Sequence, residues 1–224
     1  MRPEQGQRTP APAVSGALRL DNLQTRREAR TGYRRPDGYF QSAAHDERIF
    51  LENRLDAVSF VQGLARHARE RLIFVDPYFD EKDVREFALV TLYESVSVSV
   101  LTGRSDNLFR EVITSDNKTL FAGDIFAADL QALNADLQSA SRAAPAVLLM
   151  GNTARVYHDR FLVVDDVVWH FGHSFNRVGS DEVSMAARLL HPEEMHALIL
   201  EDVRNAAPLL TTWPALRIRQ REGF

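Results

Sequence analysis

The stretch Val156-Tyr157-His158-Asp159-Arg160-Phe161-Leu162-Val163-Val164-Asp165-Asp166-Val167-Val168-Trp169-His170-Phe171-Gly172-His173-Ser174-Phe175-Asn176 decides the fold. Phe161 to Val164 is a short apolar run that ends at Asp165. Val167 to Phe171 is a second run that leads into a Gly-His-Ser-Phe-Asn turn. Runs of this length, rich in β-branched and aromatic residues, predict two buried strands joined by a tight turn. Such a hairpin carries His158, Arg160 and the 172–176 turn on one side. An imidazole, a guanidinium fork and a Gly/Ser/Asn turn together read as a site for an anionic group.

Upstream, the pattern alternates between helix and strand. Val58, Phe60, Val61, Leu64, Ala68 and Leu72 recur at 3–4 spacing and predict a helix within 45–72. Leu72-Ile73-Phe74-Val75 reads as a strand stopped by Asp76-Pro77. A helix over 81–93 and a strand over 96–101, closed by Thr102-Gly103, follow. Residues 104–124 carry no clear period. A helix over 125–141 and a strand at Ala146–Met150 come next. Beyond the hairpin, the pattern predicts a strand over 183–190 and a helix from Pro192 to about 206, with acids at its positive end. Leu216-Arg217-Ile218-Arg219 reads as an edge strand. Helices alternating with strands predict an α/β layer with parallel strands.

Residues 1–44 differ from the rest. Pro3, Pro10, Pro12 and Pro36, several Gly, and Arg at positions 2, 8, 19, 26, 27, 30, 34 and 35 predict a basic, largely flexible extension. The domain proper is expected over 45–224, which is long enough to bury a core. The net charge of −4 rules out a generally cationic nucleic-acid binder, so any such binding needs a local patch. The absence of cysteine excludes disulfides, thiolate zinc sites and a Cys nucleophile, and fits a reducing, cytoplasmic setting. No apolar h-region follows the N-terminus and no run approaches 18 apolar residues, so neither a secretory signal nor a membrane span is expected.

A neutral imidazole can attack phosphorus and carry a covalent intermediate. Arg160 offers donors shaped for phosphate oxygens, and a Gly turn with Ser174 and Asn176 brings further donors close. The attacking ring needs an acid on its far nitrogen. This chemistry needs no metal and no cofactor. His158, His170 and His173 carry no cluster of carboxylates at ligand spacing beside them, and His170 is expected on the strand face opposite Trp169.

His158-x-Arg160-x4-Asp165, followed by six residues and Gly172, resembles the His-x-Lys-x4-Asp-x6-Gly-Ser-x-Asn signature of the phospholipase D superfamily. The resemblance implies an α/β sandwich with a central mixed sheet flanked by helices, holding one half-site per chain. It implies His158 as nucleophile, Arg160 in place of the phosphate-binding Lys, Asp165 as a structural residue and Gly172 as the turn glycine. It also implies Glu182 as the group bonded to the far imidazole nitrogen, with Ser174 and Asn176 on the phosphate oxygens. His173, Arg155 and Tyr78 are further candidates for substrate contact, Tyr78 by stacking on a base. Two letters depart from the signature: Arg160 replaces Lys, and the Gly172–Asn176 turn is one residue longer. The superfamily uses two histidines, one to attack and one to protonate the leaving oxygen. One motif per chain then implies a homodimer, or a hetero-partner that supplies the other half. The expected activity is a metal-independent phosphodiesterase, a nuclease above all. The alternatives are a nucleic-acid-binding or complex-assembly module of the same fold, and a phospholipid phosphodiesterase or transferase.

Overall fold

A computed structural model describes residues 47–103, 108–150, 157–180 and 184–221. The expected extension over 1–44 lies outside them. The central sheet is built from β1 (Glu47–Phe50), β2 (Arg71–Val75), β3 (Ser97–Thr102), β6 (Ala146–Leu149), β7 (Arg160–Val164), β8 (Val167–Phe171), β9 (Ser184–Arg188) and β10 (Ala207–Pro208). Their order across the sheet is β1-β9-β8-β7-β2-β3-β6-β10. β2, β3 and β6 run parallel, and every other neighbour in the sheet is antiparallel. The helices are α1 (Arg54–Arg66), the short α2 (Glu81–Asp83) that runs into a π-turn at Val84–Ala88, α3 (Ala122–Ser139), α4 (Glu193–Asn205) and α5 (Leu209–Arg221).

Period-2 alternation divides the sheet's apolar residues between two cores. Leu72 and Phe74 of β2, with Trp169 and Phe171 of β8, pack against α1, α3 and α5. Ile73 and Val75, with Val163 and Val168, pack against Ile199 and Met195 of α4. The central strands are therefore apolar on both faces, which is why they read as unbroken runs. This is the mixed sheet flanked by helices that the motif implied.

Several elements differ from the sequence reading, each for a tertiary reason. The segment 45–72 holds its expected helix over part of its length. Its start is edge strand β1, held by antiparallel pairing with β9, and α1 begins only after Asn53, whose side chain accepts from Asp56 N at 3.1 Å. The helix expected over 81–93 is a capped turn, Asp80 with Asp83, that opens into the π-turn. There Gln62 Nε2 donates to Glu86 O at 2.8 Å and supports the widened turn from outside. Residues 104–124 include a hairpin of β4 (Glu111–Ile113) and β5 (Thr119–Phe121). Its turn places Asn117 at φ 60°, a conformation Asn tolerates. The edge strand expected at 216–219 is the last part of α5. Trp213 docks that helix on α3, with its ring against Gly123 and its Nε1–H on Asp124 Oδ1 at 3.0 Å.

Candidate functional site

The β7–β8 hairpin is locked at its far end by Asp165. This residue sits at φ 53° in the turn, and its carboxylate accepts N–H bonds from Arg69, Glu70 and Arg71 at 2.8–3.1 Å. Those donors belong to the chain entering β2, so the turn is tied to the central strand beside it. The register Arg160↔Phe171 then brings the residues before β7 and after β8 to the other end. That end also holds Asp76, the residue after β2, because β7 runs antiparallel to β2. It is the C-terminal end of the parallel strands, the usual ligand edge of an open α/β sheet.

Asp76 is fully buried and organises this end. Its Oδ1 accepts from Tyr78 N at 2.9 Å and from the Ser174 hydroxyl at 3.1 Å, and its Oδ2 accepts from Phe175 N at 2.8 Å. Arg160 Nε donates to Ser174 Oγ at 3.1 Å and stands 3.7 Å from Asp76 Oδ1. A relay therefore runs from guanidinium to hydroxyl to carboxylate. Burial pushes the Asp76 carboxyl above its ordinary range, while the two backbone N–H bonds, Arg160 and Ser174 pull it back in part. Arg160 Nη1 donates to His158 O at 2.9 Å, and its Cζ lies 5.4 Å from the Tyr78 ring centroid. Nη2 makes no hydrogen bond among the described residues. One arm of the fork is thus unengaged among the described residues.

The turn itself is pinned from below. Phe175 is buried among Phe74, Phe79, Phe87 and Phe171, with ring centroids 4.9–5.9 Å away. Arg54 donates to Phe175 O and Val178 O and pairs with Glu86. Gly179 sits at φ 73°, and an added Cβ there would meet Asn53 O and Ala57 Cβ at 2.6 Å. By contrast a Cβ on Gly172 would meet nothing nearer than Met185 O at 3.9 Å. The backbone of this turn depends on glycine at 179 more than at 172.

Among solved structures, this fold is similar to phosphatidylserine synthase from Haemophilus influenzae Rd KW20, of the phospholipase D superfamily, with a TM-score of 0.50 and 17% identity over 75% of this chain. The chain has the phospholipase D fold. It spans 39% of the synthase's length. Similar folds at lower scores include Nuc from Salmonella typhimurium, a phospholipase D family member, with a TM-score of 0.44 and 11% identity over 72% of this chain and 96% of that one. NucT from Helicobacter pylori has a TM-score of 0.42 and 10% identity over 72% of this chain and 98% of that one. Neither a family model nor a characterised protein matches the sequence.

Within the phospholipase D fold, His158 lies exposed at the start of β7, and its ring makes no hydrogen bond among the described residues. Arg160 is brought into contact with both Ser174 and Tyr78. Asn176 is exposed and donates through Nδ2 to Tyr78 O at 3.4 Å. His173 is half-buried, and His170 lies on the other sheet face, against Phe161 and 3.5 Å from Asp159. Glu182 and Arg155 lie outside the described residues. Among the described residues no three His, Asp or Glu side chains come together as a metal would need, and no helix is long and apolar enough to cross a membrane. Sequence reasoning missed Asp76, taking it only as a strand-ending residue before Pro77. The signal was its position: a carboxylate at the C-terminal end of a buried parallel strand, where a charge is costly without a partner.

Proposed function

We propose that the chain is a metal-independent phosphodiesterase acting on nucleic acid, with one half of its catalytic site in each of two copies. The observation that carries this reading is the juxtaposition of exposed His158 with an Arg160 fork that is fixed on three sides and open on one. His158 Nε2 attacks phosphorus, the P–O bond to the leaving group breaks, and a phosphohistidine forms. The leaving oxygen takes a proton from the imidazolium of the second copy's His158. That ring, now neutral, removes a proton from water; the hydroxide attacks phosphorus, and the P–N bond breaks. Arg160 Nη2 and Asn176 hold the non-bridging oxygens, Ser174 fixes Arg160, and Glu182 orients the imidazole of its own chain.

Support for a second copy comes from the surface beside the site. Ile49 and Met185 are Cα partners across β1 and β9, and both are exposed. Met185 O also accepts the Gly172 N–H at 3.0 Å, so this apolar pair borders the turn. The contact of Arg160 with Asp76 favours a second reading, in which part of the cationic charge is offset and the site grips nucleic acid without turnover.

The test is incubation of the full chain with plasmid, single-stranded DNA, a chromogenic phosphodiester and phospholipid vesicles, all with chelator present. Cleavage of nucleic acid that survives chelation and vanishes in His158→Ala is the expected result. DNA binding without cleavage, unchanged in that variant, refutes it in favour of the second reading. Cleavage confined to lipid moves the substrate class. Full activity in a strictly monomeric protein contradicts the shared site.

A further inference from the structure

We infer that the cleft beside Arg160 seats the nucleoside that flanks the scissile phosphate, with Tyr78 as the platform for its base. The inference rests on the reading of Arg160 as a phosphate ligand and gives that site a substrate class. The cleft encloses about 360 Å³, and its lining includes Tyr78, which the Arg160 guanidinium overlies, and Asn176, which donates to Tyr78 O. That volume lies at the small end of the range for ligand pockets, roughly 300–1,000 Å³. It suits one nucleoside.

The lining matches the two characters of a nucleobase. Leu108, Ile125 and Phe126 provide apolar wall, while Asp80, Lys82 and Arg110 offer charged groups to a polar edge or a sugar hydroxyl. Glu81 also lines the cleft, and burial raises its carboxyl above its ordinary range.

Tyr78 is prepared for stacking. The residue is 42% exposed, unusual for an aromatic beside so many buried ones. Its backbone is fixed at both ends, N–H on Asp76 and carbonyl under Asn176. The Arg160 guanidinium already lies over the ring at 5.4 Å. A base in the cleft adds to that stack while its phosphate reaches Nη2. The neighbouring depression shares Asp80, Lys82 and Asn176 with the cleft and adds Arg54, Arg85, Asp83 and Glu86, a surface of balanced charge that continues away from it.

Calorimetric titration of the full chain with adenosine 5′-monophosphate, ribose 5-phosphate and inorganic phosphate tests the inference without requiring turnover. Adenosine monophosphate is expected to bind about tenfold more tightly than ribose 5-phosphate, from stacking of one base. Tyr78→Ala is expected to bring that ratio to about one, and Tyr78→Phe to keep it. Ala122→Phe, which fills the cleft without touching Tyr78's ring contact to Arg160, is expected to abolish the ratio as well. Equal affinities in the unaltered protein overturn the inference. So does a ratio that persists in both Tyr78→Ala and Ala122→Phe. Those results leave the phosphate site standing. Failure of all three ligands to bind refutes the phosphate site itself, and the cleft with it.

Discussion

Asp76→Ala and Asp76→Asn separate what a buried carboxylate holds from what its charge does. The wild-type group accepts three hydrogen bonds, from Tyr78 N, Ser174 Oγ and Phe175 N, at a fully buried position. Hydrogen bonds to a charged group contribute about 1.5–3 kcal/mol each. Three of them set a ceiling near 4.5–9 kcal/mol. Removing the carboxylate also removes its own desolvation penalty, which is the largest influence on its ionisation. The net loss for Asp76→Ala is therefore expected at about 3–5 kcal/mol, the range for breaking a buried charged pair on one side. Asparagine keeps two of the three bonds. In either amide orientation one backbone N–H, of Phe175 or of Tyr78, loses its acceptor, at about 1–3 kcal/mol. Urea unfolding at pH 7 reads both. With a slope of about 2 kcal/mol/M, the midpoint falls by roughly 2 M for Ala and roughly 1 M for Asn. An Ala variant that loses less than about 1 kcal/mol, or an Asn variant as damaged as Ala, refutes the claim that Asp76 organises this end of the sheet.

The other predictions concern charge, fork geometry and the second copy. Burial and nearby Asp80 push the Asp83 carboxyl up to about 8 from 3.8, so its contribution to stability is full below pH 3.8 and is lost as pH rises through 8. Asp83→Asn is then expected to gain roughly 2–4 kcal/mol on wild type between pH 4 and pH 9, and urea midpoints that shift equally at both pH values contradict this. Arg160→Lys supplies the lysine of the signature that the motif resembles but loses the simultaneous bonds to Ser174 and the His158 carbonyl. It is expected to weaken binding of inorganic phosphate by about tenfold, and equal or tighter binding in calorimetry disproves the assigned role of the fork. Ile49→Glu with Met185→Glu is expected to turn a dimer into a monomer and to remove cleavage while the far-ultraviolet circular dichroism stays the same. A dimer that survives the double change shows that this surface is not the interface.

What the sequence made legible was local. The hairpin strands, the tight turn at Asp165 and the alternation of helices with strands all follow from period and turn chemistry within a few residues. What it hid depends on partners far along the chain. Asp76 meets Ser174 across 98 positions, and nothing near it in sequence reveals that its carboxylate is buried. β1 is four residues long and exists through pairing with β9. Leu216 to Arg219 alternates like a strand, yet Trp213 against Gly123 fixes that segment as helix. Short-range pattern loses to packing in each case.

The same long-range contacts join the two departures from the superfamily signature. A lysine ammonium at position 160 would be a compact point charge, without a planar fork to divide among partners. Arg160 spends Nε on Ser174 and Nη1 on the His158 carbonyl, and lays its plane near Tyr78. Ser174 can receive Nε because the turn puts its hydroxyl between Arg160 and Asp76 while Phe175 descends into the aromatic core. Asp76 in turn takes the Phe175 N–H and so holds the turn in place. The longer turn, the arginine and the buried aspartate are thus one arrangement. Changing any one of the three leaves a buried polar group of the other two without its partner.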